Sequence, residues 1–86
     1  MPAVANARER IDRTVPVLDE RYRRLSRRER EVGALVVFGM SRREIADELN
    51  ISPRTVDTHK LHVLAKLECA NDVALVWRAF EIGWVK

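Results

Sequence analysis

The chain has 86 residues, 47% of them apolar, which is enough for one small domain with a modest core and leaves no room for a second. Its formal charge is only +3, and a single cysteine, Cys69, excludes both an internal disulfide and a thiol cluster for a metal. No apolar run is longer than 34–38, and charged residues stand where a secretory leader needs an apolar stretch, so a cytoplasmic protein with no membrane partner is expected.

Residues 1–24 differ from the rest. The segment 3–13 favours a helix, but Val4, Ala5, Ala7 and Ile11 make a thin apolar stripe, and Val15-Pro16-Val17 interrupts any helix. This stretch reads as an N-terminal arm or marginal helix: a linker, a disordered or loosely docked segment, or a contact for a protein partner. The domain itself is expected over 25–86.

Four helix signals follow. Ser26-Arg-Arg-Glu29 is a capping box, so the first helix begins near Arg27. Val32, Leu35 and Val36 supply its buried stripe, and Gly39 its stop. Ser41-Arg-Arg-Glu44 repeats the box and opens a second helix with Ile45, Ala46 and Leu49 turned inward. Asn50 then stands where a tight turn needs a residue that tolerates a left-handed backbone. Ser52 caps the third helix, and Pro53 takes its first position, where a missing N–H costs nothing. This third helix is predicted over 53–67, with Val56, Val63 and Leu67 inward. Asn71 caps a fourth, over 71–82, which Gly83 ends. With no strand pattern, the expected fold class is all-α: a four-helix helix-turn-helix domain preceded by the short arm.

A small residue, Ala46, where two helices approach, then a turn at Asn50 and a capped helix behind it, is the arrangement that carries a helix into the major groove of DNA. The charge distribution agrees. Residues 22–66 hold ten Lys or Arg against six Asp or Glu, whereas 1–21 balance at four each and 67–86 hold two against three. With Val56 inward, a turn of about 100° per residue directs Arg54, Asp57, Thr58, Leu61 and His62 outward as candidate base-reading residues. Arg54 suits guanine or a phosphate, Asp57 the amino group of cytosine, Thr58 a polar edge, and Thr58 or Leu61 a thymine methyl. Thr55, His59 and Lys66 lie on the flanks, placed for phosphates, and Ser41, Arg42 and Arg43 form a second phosphate seat at a helix N-terminus. Asp57 also has a plainer use, an ion pair with Lys60 one turn on.

On the fourth helix Val73, Leu75, Val76, Trp77, Ala79 and Phe80 sweep an arc of roughly 220°, where a helix on one core needs a stripe nearer about 100°. The excess predicts a homodimer on DNA, with Val73, Trp77 and Arg78 at the contact. The other occupant considered for that face is the arm of the same chain.

His59, His62 and Cys69 make a weak zinc set, and no cofactor or metal is expected. No nucleophile with a base, no paired carboxylates and no glycine-rich phosphate loop suggests an enzyme.

Leu25-Ser-Arg-Arg-Glu-Arg-Glu-Val32, Gly39-Met-Ser-Arg-Arg-Glu-Ile-Ala46, Ile51-Ser-Pro-Arg-Thr-Val-Asp-Thr-His59 and Lys66-Leu67 together resemble the LuxR-type, or GerE-like, DNA-binding domain. The resemblance covers about three quarters of the chain. It implies a four-helix unit of bacterial transcription regulation, with the third helix as recognition helix and the fourth as dimer contact. The chain departs from the family at Asp57, often lysine there; at Lys60 and Leu61, whose apolar and polar characters are exchanged; at Glu68, usually glycine; and at Asp72, usually basic or an amide. With an arm too short for a receiver or sensor domain, the chain resembles a standalone member. The alternatives are a sigma-factor-like promoter-recognition module, against which the fourth helix argues, and a protein-interaction module that kept the fold without binding DNA.

Overall fold

The computed structural model describes residues 19–85, and among them five helices and no strand. The expectations placed on 1–18, including the marginal helix over 3–13, lie outside the described residues. The rest of the stretch read as an arm is not all arm. Asp19 caps a single turn, α1 (Glu20–Arg23), accepting the Arg21 amide at 2.8 Å and the Arg21 side chain at 3.1 and 2.8 Å. That side-chain bond to Arg21 is the main reason the Asp19 carboxyl titrates at about 2.

The four expected helices follow as α2 (Arg27–Val37), α3 (Arg42–Leu49), α4 (Pro53–Lys66) and α5 (Asp72–Glu81). Both capping boxes form, with Ser26 and Ser41 accepting from the amides of Glu29 and Glu44 at 3.1 Å and each glutamate accepting the cap amide in return. Ser52 and Asn71 cap α4 and α5 as expected.

Helix α2 is the centre, packed against α3, α4 and α5, while α3 packs against α4. Residues 32–36 are therefore buried without a break. Gly33 shows why its size matters. A Cβ there would meet Cη2 of Trp84 at 2.5 Å and Cγ1 of Val63 at 3.3 Å, so glycine lets the indole and α4 reach the α2 backbone. Tyr22 meets the other side of Trp84 edge-on, ring centroids 5.1 Å apart, and the Arg30 guanidinium lies 4.6 Å from the Tyr22 ring centre.

All four longer helices stop in the same way. A residue with positive φ follows the last turn, and the amide after it reaches back five residues: Met40 to Leu35, Ile51 to Ala46, Cys69 to Leu64, Trp84 to Ala79. Gly39, Asn50 and Gly83 suit that backbone. Glu68, at φ 57°, does not, and its exposed pairing with Arg21 at 3.8 Å offers little in return. Glu68→Gly is expected to stabilise the domain by about 1 kcal/mol in urea melts, with DNA binding unchanged.

Candidate nucleic-acid interface

The burial of Val56, Val63 and Leu67 fixes the roll of α4 on its support. The opposite side then carries Arg54, Thr58, Leu61 and Ala65, spaced by four, three and four residues and all exposed. Leu61 is the centre of this stripe and is 64% exposed. Ala65 stands outside the residues expected to face DNA, yet it continues the 54–58–61 spacing by one more turn. The Arg54 guanidinium has no intramolecular partner among the described residues, and the Thr58 hydroxyl donates to the Arg54 carbonyl at 3.2 Å.

Two residues grouped with that stripe are engaged elsewhere. Asp57 accepts from Arg42 Nε with both oxygens at 2.9 Å, which ties the second turn of α4 to the start of α3. The pair expected within the helix, Asp57 with Lys60, does not form; Lys60 reaches Asp72 of α5 at 3.1 Å. The Arg42 guanidinium donates to both Asp57 carboxylate oxygens from outside the helix, so the local spacing rule loses to a tertiary contact. Val36, Met40 and Ile45 close a hollow of about 150 Å³ bordered by these two ion pairs, whose opposite charges cancel.

His62 turns its Nδ1 to Glu29 Oε2 at 3.3 Å while much of its ring remains in solvent. Lys66, expected on phosphates, donates to Glu29 Oε1 at 2.7 Å and to the Arg24 carbonyl at 3.2 Å. Glu29 itself is only 5% exposed. Burial alone would raise its pKa, but the bonds from the Lys66 ammonium and the Ser26 amide outweigh it and hold the carboxyl below its ordinary value. The Glu29 carboxylate thus ties the last turns of α4 to the first turn of α2.

The remaining flank residues are mixed in their availability. Thr55 spends its amide and hydroxyl on Ser52, at 3.0 and 2.9 Å. His59 keeps its Nδ1 away from solvent and without a hydrogen-bond partner among the described residues. At the start of α3 the Ser41 and Glu44 amides are used by the capping box, which leaves those of Arg42 and Arg43 beside two exposed arginine side chains. The Glu44 carboxylate at that same end tempers its attraction for an anion.

On α5, Leu75 and Ala79 are buried, whereas Val73, Trp77 and Phe80 are 67%, 72% and 52% exposed. Their spacing of four and three puts them on one face. Arg78 is not part of it: it is half-buried, with its guanidinium on Glu81 at 2.7 Å. Phe80 takes its place in the patch.

Among the described residues no group of three or more His, Cys, Asp or Glu could hold a metal ion, and no helix is long and apolar enough to cross a membrane.

A family model described as bacterial regulatory proteins, luxR family, matches residues 23–79. The transcriptional regulatory protein UhpA of Salmonella typhimurium is 47% identical over 60 residues, which cover 70% of this chain and 30% of that protein. The transcriptional regulatory protein FixJ of Rhizobium meliloti is 42% identical over 64 residues, 74% of this chain and 31% of the relative. A putative helix-turn-helix transcriptional regulator of Mycobacterium tuberculosis, MT0914, is 51% identical over 55 residues, 64% of this chain and 6% of the relative. The chain thus spans less than a third of the length of these relatives.

Proposed function

Because the chain belongs to the luxR family of bacterial regulatory proteins, a family of DNA-binding helix-turn-helix regulators, we propose that it binds specific sites on double-stranded DNA with α4 in the major groove. The observation that carries this reading is the exposed stripe of Arg54, Thr58, Leu61 and Ala65 on a helix whose other side is locked into the core. The surplus of cations over 22–66 and the exposed arginines at the start of α3 support it. In this reading Arg54, Thr58 and Leu61 touch base edges, and Arg42, Arg43 and Thr55 lie toward the phosphates. Lys66 acts first as the strut that holds α4 through Glu29, with His62 beside the same carboxylate.

A homodimer completes the reading, one copy on each half of a two-fold site, through the patch of Val73, Trp77 and Phe80. Regulation of transcription by the whole protein follows as part of the same proposal.

Asp57 is read as a restraint on Arg42 and not as a base reader. Asp57→Ala removes a negative charge near the phosphates and releases a guanidinium. Its affinity for duplexes of every sequence is expected to rise several-fold, with the logarithmic salt dependence steeper by about one. Fluorescence anisotropy of labelled duplexes across a salt series measures both. A changed order of preferred sequences would return Asp57 to base reading, and a wild-type salt response that is flat would favour a protein-interaction module over DNA.

A further inference from the structure

The centre of the recognition face is not a charge or an amide but a bare leucine. Leu61 is 64% exposed, with Thr58 and Ala65 above and below it on the same stripe, while the carboxylate of Asp57 and the imidazole of His62 to either side are drawn off by Arg42 and Glu29. What remains is a small apolar spot, with Arg54 at one end of the stripe and Arg42 paired to Asp57 at its flank. A cation unpaired among the described residues, Arg54, in line with an apolar centre fits a polyanion that presents apolar groups at the floor of a groove. In duplex DNA the major-groove group of that kind is the 5-methyl of thymine.

We propose that Leu61 covers a thymine methyl in the half-site, so that one position of the operator is selected by an apolar contact and not by a hydrogen bond. The proposal rests on the DNA-binding reading above, and it deepens it by naming the chemical group recognised. The contact is apolar on both sides, so its signature is sensitivity to the methyl alone. Deoxyuridine keeps every hydrogen-bonding group of thymidine and lacks that carbon.

The test begins with duplexes selected from a random pool by the full chain. Each thymidine in the selected half-site is then replaced in turn by deoxyuridine. The wild-type protein is expected to lose affinity about fourfold at one position, the value of one buried methyl or methylene group. Leu61→Ala is expected to bind the thymidine and deoxyuridine duplexes equally. Position 61 is exposed, so this variant should fold, and its circular dichroism and melting temperature check that it does. Discrimination that persists in Leu61→Ala, or wild-type binding that is salt-dependent yet indifferent to every methyl, would overturn the assignment while leaving DNA binding in place. Self-association without DNA that Leu61→Ala abolishes would overturn it too, giving the spot to a second copy. Absence of any salt-dependent binding to the pool would remove the parent reading and this one with it.

Discussion

Glu29→Ala is expected to cost about 1–3 kcal/mol of folding stability, since it removes the acceptor of a charge-assisted hydrogen bond from Lys66, itself partly in solvent, and of a cap amide. Two groups lose their acceptor together, the Ser26 amide at 2.9 Å and the Lys66 ammonium at 2.7 Å, and His62 Nδ1 stands 3.3 Å from the same carboxylate. For a domain of this size such a loss is a large share of the total, so the variant should melt earlier in urea. Glu29→Gln, which keeps the shape and one acceptor, should lose less. It also isolates the pH dependence. Because the folded carboxyl titrates below its ordinary 4.5, the stability it supplies is complete above that value and disappears as pH falls through the lowered one. Urea melts across the acid range should therefore show a limb that is steeper in the wild type than in Glu29→Gln. Equal limbs would show that the buried carboxylate does not govern acid unfolding.

Trp77→Glu is expected to convert a dimer to a monomer. Trp77 sits between Val73 and Phe80 on the exposed face of α5, and tryptophan at the middle of an apolar contact is the residue type whose loss weakens association most. A glutamate there must also be buried unpaired for the dimer to form. Sedimentation should report one chain instead of two, and binding to a two-fold DNA site should weaken at least about 30-fold, the scale of a hot-spot residue. Since Trp77 is 72% exposed in the single chain, the melting temperature of the isolated domain should hardly move. A wild-type protein that remains a single chain both at high concentration and on a two-fold site would end the dimer proposal. Arg78→Ala, by contrast, should leave the assembly intact, since its guanidinium is spent on Glu81.

The features that the chain discloses in order are those governed by neighbours in sequence. Both capping boxes, the left-handed Asn50, the Ser52-Pro53 start and the Gly83 stop depend on residues no more than a few positions apart, and each is found where the local chemistry requires it. The partners of the charged residues were harder to foresee. Asp57 lies 15 residues from Arg42, and Glu29 lies 37 from Lys66, so nothing but the packing of α2, α3 and α4 brings them together. The helical rule that favours Asp57 with Lys60 is worth only about half a kcal/mol, too little to prevail against the contacts the tertiary fold offers. The same holds for α1. Tyr22 has no local reason to belong to the core, and it joins because Trp84 returns to meet it. Gly33 reads as an indifferent helix residue until the indole above it is known. On the exposed side of α4 the spacing of Arg54, Thr58 and Leu61 is legible from periodicity. Ala65 shares that spacing, but a side chain so small advertises no chemistry of its own.

The chain contains two tryptophans, and they live in opposite media. The ring of Trp84 is sealed beneath Gly33 and Tyr22, at 1% exposure, while that of Trp77 stands in water. Light emitted by the first shifts to the red only when the interior opens, and light from the second shifts to the blue only when something covers it. Intrinsic emission therefore separates melting from pairing in an unlabelled sample, and a Trp77→Phe variant leaves a pure gauge of the interior.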